Sequence, residues 1–363
     1  MSTAVVKVGT SSVTATDGSI DEVGLAKLCR QLAQARAGGH QVVLVCSGAI
    51  AAGMPLLGIT ERPTDIGTLQ ALAAVGQPRL IERLSALLAV EGLVAGQVLL
   101  TPYDFGHREQ YLHARETLGR LLDLGVIPIV NENDTVADDE IRYGDNDRLA
   151  ALVSHLVDAD VLLLLTDTAG LFTADPRLDS EASLIEEIVV VDEALEQVAG
   201  GPGTERGSGG MASKLAAAKI ASWSGVRVVI AASNASGVVV GAIEQSSVGT
   251  VIQARSEKLP SRKLWIAFGR ASAGRVVVDD GAQSALLDSG RSLLPAGIKR
   301  VEGDFACDDA VEVATEDGVV FAKGLVRYSS NDLTRVVGKR SEDLPDDSPI
   351  EAIHRDDLVM LAH

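Results

Sequence analysis

Two polar clusters carry most of the chemistry that this chain could perform. The first follows the apolar run Val126-Ile127-Pro128-Ile129-Val130 and reads Asn131-Glu132-Asn133-Asp134-Thr135, then Gly144-Asp145-Asn146-Asp147. A short apolar run ending in amides and carboxylates is how a buried parallel strand delivers polar groups to the carboxyl edge of a sheet, where such sheets bind ligands. Taken alone, so many carboxylate and amide oxygens suggest a divalent-metal site. The second cluster is Gly207-Ser208-Gly209-Gly210-Met211-Ala212-Ser213-Lys214. A glycine-rich loop that feeds a helix and carries one lysine offers a phosphate both backbone N–H groups and a mobile cation. It fits neither the Walker spacing nor the dinucleotide fingerprint. A flexible linker would share its glycines, but Met211 and Lys214 stand where a helix begins.

Three smaller features share the same logic. Lys7-Val8-Gly9-Thr10-Ser11-Ser12 ends a strand in small residues whose amides and hydroxyls can face an anion. Lys7 could equally be an ordinary strand-edge lysine. Ser47-Gly48-Ala49 closes a second strand, and a serine before a glycine is by default a helix cap. Thr166-Asp167 closes a third.

The elements that must position these groups follow from periodicity. Ala4 to Val8, Gln41 to Cys46, Val94 to Leu100, Val126 to Val130, Val161 to Leu165 and Val226 to Ala231 are apolar runs of strand length, the last of them closing the first domain. Helical spacing separates them, over Asp21 to Arg36 with Gly38-Gly39 as the stop, Ile66 to Leu88, Arg108 to Leu124, Asn146 to Val157 and Lys214 to Trp223. In the second of these helices Gln70, Gly76-Gln77 and Arg79 interrupt the apolar face. Strands alternating with helices and ending in small polar residues predict a parallel sheet with one binding edge.

At 363 residues the chain suits a large domain plus a small one, at roughly 100 to 200 residues per domain. With 46% hydrophobic but only 3% aromatic residues, layered α/β packing is favoured over a sandwich built on aromatic pairs. A net charge of -18 opposes nonspecific binding to nucleic acid or anionic membranes, so an anionic substrate must be caught by a few local cations and amides. Cys29, Cys46 and Cys307 are too scattered for a disulfide framework or a zinc site and are expected to be buried thiols. The start of the chain runs directly into a strand pattern and no run reaches membrane-spanning length, which predicts a cytoplasmic protein. The polar stretch 259–274 is expected to link a first domain, 1–258, to a second, 275–363. In the second, short strands at Val276 to Val278, Val311 to Val313 and Val319 to Phe321 lie between Gly and Asp-Gly turns. From Ser261 onward there are 13 Lys and Arg against 18 Asp and Glu, so this part is acidic too.

The order of these motifs resembles the amino acid kinase family, and within it the enzymes that phosphorylate the side-chain carboxylate of L-glutamate at the start of proline synthesis. The tail resembles the PUA domain that many of them carry. The resemblance implies a three-layer αβα sandwich around a largely parallel sheet, with ATP and glutamate lying end to end across its carboxyl edge. It implies that Lys7 and Lys214 approach the transferring phosphoryl group from opposite sides and that Asp147 orients both. It assigns Ser47, Asp134 and Asn146 to glutamate. It assigns Lys7, Gly9, Thr10, Thr166, Asp167, Ser208, Gly209, Gly210, Met211, Ala212, Ser213 and Lys214 to the nucleotide. Magnesium would come with ATP, held by phosphate oxygens and water rather than by the chain, so the metal-site expectation gives way to an amino-acid site. It further implies a homo-oligomer, feedback by proline and transient contact with glutamyl phosphate reductase.

Two kinds of alternative share these features. Another kinase of the same fold would act on aspartate, acetylglutamate or a nucleoside monophosphate, but the Asn131 to Asp134 carboxylates suit a free α-ammonium, whereas a phosphate acceptor would want cations there. An RNA-binding protein acting through the tail is disfavoured by the tail's negative charge and few aromatics.

Overall fold

The computed structural model describes residues 1–15, 18–136, 146–174, 176, 179, 181–191, 195 and 210–361. The chain divides into two units, Met1–Lys258 and Leu259–His363.

In the first unit the strands are β1 (Thr3–Val8), β2 (Gln41–Cys46), β3 (Ala95–Leu100), β4 (Ile127–Glu132), β5 (Val161–Thr166), β6 (Glu187–Ile188), β7 (Arg227–Ala232) and β8 (Thr250–Ile252). They form one sheet in the order β3-β4-β2-β1-β5-β7-β8-β6. Every pairing is parallel except β7 with β8. The register aligns the carboxyl ends, since Val8 lies opposite Cys46 and Leu165, and Thr166 opposite Ala232. The helices are α1 (Glu22–Ala37), α2 (Ala49–Gly53), α3 (Ile66–Val90), α4 (Pro102–Gly106), α5 (Arg108–Asp123), α6 (Asn146–Leu156), α7 (Met211–Trp223) and α8 (Val238–Ile243).

The inner strands are buried along nearly their whole length because helices cover both faces. On one face Leu25, Leu28 and Leu32 of α1, Leu80, Leu84 and Leu88 of α3, and Val238 and Val239 of α8 pack over Ala4, Val6 and Val8. On the other, α6 lies against β1 and β5, flanked by α5 and α7. The expected sandwich is therefore present. Asp21 caps α1 through its carboxylate, which accepts from the Gly24 N–H, and Gly38 ends it.

The approach of α2 to α3 is set by glycine. A Cβ on Gly76 would stand 1.8 Å from the Ala49 carbonyl oxygen, and one on Gly53 would stand 2.2 Å from that of Leu72. Only hydrogen fits at those backbone crossings, which draws the middle of α3 towards the ends of β2 and β4.

The second unit holds α9 (Ser261–Leu264) running into a π-helical turn (Trp265–Gly269), β9 (Gly274–Val278), α10 (Asp280–Ser289), β10 (Ile298–Gly303), β11 (Ala310–Ala314), β12 (Val320–Val326), α11 (Ser330–Val336) and β13 (Ile353–Met360). Its sheet runs β10-β9-β11-β12-β13, with β9 and β11 parallel and the other neighbours antiparallel. A separate core of Val276, Phe305, Val313, Phe321, Leu333 and Ile353 fills it.

Several details differ from the sequence expectations. Arg227–Ala232 is not the last strand of the first unit, because Thr250–Ile252 follows it, and Glu187–Ile188, earlier in the chain, also extends the sheet; runs of three and two residues are too short to carry a period. The stretch expected as a linker is helical from Ser261 to Gly269. Its basic residues face outward while Leu264, Ile266 and Ala267 are buried, and Lys323 donates to the Ala267 and Arg270 carbonyls at its end. Cys29 and Cys46 are buried as expected, but Cys307 is exposed, in a turn where Asp308 takes a positive φ of 68°.

Candidate active site

The strand geometry decides which way Lys7 points. Val6 and Val8 enter the core under α1 and α3, so Lys7 leaves β1 on the opposite face, beside α6. Its ammonium lies 2.6 Å from Asp147 Oδ1, and that of Lys214 lies 3.1 Å from Asp147 Oδ2. Asp147 opens the first turn of α6 and Lys214 the first turn of α7, and the two helices pack on each other. Lys7, Lys214 and Asp147 are 4%, 5% and 0% exposed, so Lys7 is no solvated edge residue. Burial alone would raise the Asp147 carboxyl, but the ammoniums of Lys7 and Lys214 outweigh it and hold it below the usual carboxylate range. Two cations around one anion leave a surplus positive charge at the first turns of two helices, whose dipoles add to it. Such a place is built for a polyanion.

The start of α7 adds donors. Gly210 is its N-cap and has no capping side chain. The Ser213 hydroxyl lies 2.8 Å from the Gly210 carbonyl and 3.0 Å from Asp147 Oδ2, which ties the loop end to the carboxylate. Met211 and Ala212 occupy the same turn. Ser208 and Gly209, and the residues before Asn146 back to 137, lie outside the described residues. Gly9 caps the short turn Thr10–Ser12. A Cβ on Gly9 would come within 3.8 Å of the Lys7 ammonium, so glycine keeps the space above that cation open. Thr10 and Asp167 are exposed at the rim, and Thr166, the last residue of β5, donates its hydroxyl to Asp167 Oδ1 at 3.1 Å.

A second, neutral group lies at the ends of β2 and β4. The Asn146 amide nitrogen faces the Cys46 carbonyl at 2.7 Å, Asn131 Oδ1 at 2.7 Å and Ser47 Oγ at 3.0 Å. Ser47 is therefore not a cap. Gly48, at φ 108°, holds the N-cap position of α2, and the hydroxyl is turned to Asn146 instead. Asn131 in turn donates from Nδ2 to Gln77 Oε1 at 2.7 Å and accepts the Glu132 N–H at 2.9 Å. Asp134 is 9% exposed. Burial pushes its carboxyl up to about 6, against the pull of Arg62. It also stands within electrostatic reach of Cys46, whose thiol is pushed to about 12 chiefly by burial. Beside Asp134 a cavity of about 460 Å³ opens, lined among others by Gln77, Ile81, Leu99 and Glu132.

The expected site residues Lys7, Asp147, Ser213 and Lys214 thus meet directly, as do Ser47 and Asn146. Gln77 and Asn131 were not among the expected site residues. Asn131 could have been drawn from its place at the end of the β4 run. The signal at Gln77 was an amide directly after a glycine on an otherwise apolar helix face.

Comparison with known proteins gives the arrangement a lineage. A model of the amino acid kinase family matches residues 2–232. The chain belongs to the amino acid kinase family. A model of the PUA domain matches residues 274–346, within the second unit. Among members of this family, glutamate 5-kinases are similar along nearly their whole length. That of Vibrio parahaemolyticus is 47% identical over 99% of this chain and 96% of its own. That of Aliivibrio salmonicida is 47% identical over 99% and 98%, and that of an Escherichia coli O1:K1 strain 44% over 98% of each. A solved structure of an isopentenyl phosphate kinase covers 69% of this chain with a TM-score of 0.49 at 19% identity, a distance at which it says nothing of substrate. No described helix is long and apolar enough to cross a membrane.

Proposed function

We propose that the chain transfers the γ-phosphoryl group of ATP to the side-chain carboxylate of L-glutamate, giving L-glutamyl 5-phosphate and ADP, the first step of proline biosynthesis. The observation that carries this reading is the buried Lys7–Asp147–Lys214 group, in a family whose full-length relatives are glutamate 5-kinases.

The chemistry follows from charge. A glutamate side-chain oxygen forms the new bond to the γ-phosphorus as the bond to the bridging oxygen of ADP breaks. The acceptor, with an ordinary pKa of about 4.3, is already ionised at neutral pH and needs no general base. In a loose transition state the charge rests on the peripheral oxygens and the leaving group, so positioned cations supply most of the help. Lys7 serves one side of the phosphoryl group and Lys214 the other. Asp147 keeps the two ammoniums apart and aimed; with both oxygens engaged by lysines, it is not offered to a metal. Magnesium, when bound with ATP, would neutralise phosphate charge, held by phosphate oxygens and water rather than by this chain's carboxylates. Gly9, Thr10, Thr166, Asp167 and the loop from Ser208 to Lys214 hold the nucleotide. Ser47, Asn146 and the Asp134 carboxylate hold the amino acid, Asp134 facing its α-ammonium.

The same reading carries a cytoplasmic homo-oligomer, inhibition by proline, and transfer of the labile acyl phosphate to glutamyl phosphate reductase. An ATP-dependent hydroxamate assay across glutamate, aspartate and acetylglutamate tests it, because hydroxylamine traps whichever acyl phosphate forms. Hydroxamate from glutamate alone is expected; preference for either other acceptor would overturn the assignment.

A further inference from the structure

The chain of amides at the ends of β2 and β4 has only one consistent orientation. The Glu132 N–H requires an acceptor, so Asn131 must present Oδ1 to it and Nδ2 to the other side. Nδ2 then needs an acceptor of its own, and Gln77 Oε1 is there at 2.7 Å. Asn131 Oδ1 also faces Asn146, as does the Cys46 carbonyl, and both can only accept. The Asn146 amide must therefore turn its nitrogen towards them, which sends its carbonyl oxygen the other way. That oxygen is buried and has no hydrogen-bond partner among the described residues. A buried amide oxygen left without a donor costs about as much as a lost hydrogen bond, and such a group persists where a ligand supplies the donor.

We infer that Gln77 is a positioning residue for the amino-acid acceptor: through Asn131 it locks the Asn146 amide so that Oδ1 is presented to the acceptor's α-ammonium. This rests on the glutamate kinase reading and adds a determinant to it. An ammonium is the fitting occupant because it brings donors only, and because the Asp134 carboxylate lies at the same end of the site. Gln77 reaches this place because Gly76, the residue before it, lets α3 touch the backbone of α2. Gln77 is itself 8% exposed, so its lost acceptor would not simply be replaced by bulk water.

The inference predicts a separation that general loosening of the fold would not produce. In Gln77→Met the chain length is kept and the acceptor removed. The glutamate KM should rise about tenfold, while kcat and the ATP KM stay within about twofold. Gln77→Glu keeps an acceptor for Asn131 Nδ2 and should restore the glutamate KM to within about threefold of wild type. If Gln77→Met does not fold, Gln77→Ala makes the same deletion with less crowding and should shift the glutamate KM in the same direction. An unchanged glutamate KM in the acceptor-deleted variant would overturn the inference. So would equal rises for ATP and glutamate with a lowered melting temperature in both variants, the mark of a structural role. Wild type assayed alongside separates the two levels: no hydroxamate from glutamate rejects the functional reading itself, whereas normal turnover with an indifferent Gln77 rejects only the positioning role.

Discussion

Lys7 Nζ and Asp147 Oδ1 meet at 2.6 Å in a place almost closed to solvent. The pair joins β1, the first strand of the chain, to the start of α6, and Lys214 completes it from α7. Removing the carboxylate charge leaves two buried ammoniums facing each other. Asp147→Asn should therefore lower kcat by about 100-fold or more. It should also destabilise the first unit by about 3–5 kcal/mol, the usual result of breaking a buried ion pair from one side. Turnover and urea midpoints measure the two effects, and a kcat within threefold of wild type would show that Asp147 does not organise the lysines.

Lys214→Ala tests the cation itself. In the proposed mechanism Lys214 faces the phosphoryl group in transfer at the end of the nucleotide loop, away from the amino acid, so its loss is felt in the transition state far more than in glutamate binding. kcat should fall by about 100- to 1,000-fold, with the glutamate KM changed by no more than about threefold. Near-normal turnover would remove Lys214 from the mechanism.

Asp134 makes a prediction of opposite sign for binding and for stability. Burial raises its carboxyl to about 6, so in the free protein it is ionised only above that pH. Glutamate affinity should therefore weaken as pH falls through about 6, while the substrate's own side chain remains ionised. In Asp134→Asn the KM should be high and flat across the same range. For folding, a carboxyl raised above its ordinary 3.8 penalises the folded state at neutral pH, and the penalty disappears as pH falls below the unfolded value. Asp134→Asn should accordingly raise the melting temperature at pH 7.5, by ~2–4 °C for each kcal/mol relieved. A variant with unchanged KM would reject the ammonium contact, whatever its stability.

These residues also show which parts of the molecule could be read in the sequence. The parallel sheet was legible because β1, β2, β4 and β5 are short, largely apolar runs buried on both faces, interrupted in β1 only by Lys7 and closed in β4 by Asn131-Glu132. The pairing of Lys7 with Asp147 and Lys214 was not, since it depends on which face of β1 position 7 occupies and on two helices starting side by side; only the family resemblance anticipated it. Gln77 was visible merely as a break in an apolar face, because its partner Asn131 lies in another element and the close approach made by Gly76 cannot be seen from spacing. Residues 261–269 read as a linker because their outward Arg and Lys outweigh a short apolar set that packs inward. From its neighbours alone Ser47 read by default as a cap, with a ligand-facing hydroxyl as the alternative that the family resemblance favoured, because capping is a local rule whereas its contact with Asn146 is long-range.

His155, in the last turn of α6, provides the remaining prediction. It is 6% exposed, neither ring nitrogen has a hydrogen-bond partner among the described residues, and the Tyr111 ring lies 6.2 Å away between centroids. Burial first, with Lys258 and Arg115 adding to it against Asp158, lowers its pKa from 6.5 to about 4. The folded protein thus keeps His155 neutral where the unfolded chain would protonate it. Stability from this residue is fully present above pH 6.5 and is lost as pH falls towards 4, up to on the order of 3 kcal/mol. Asp134 works against it over much of that interval, since its raised carboxyl makes the folded state relatively more stable as pH falls. The two must be separated by difference: the fall in unfolding free energy from pH 7 to pH 5 should be smaller in His155→Leu than in wild type, with Asp134 contributing equally to both. Equal falls in the two proteins would mean that His155 is protonated alike in the folded and unfolded states.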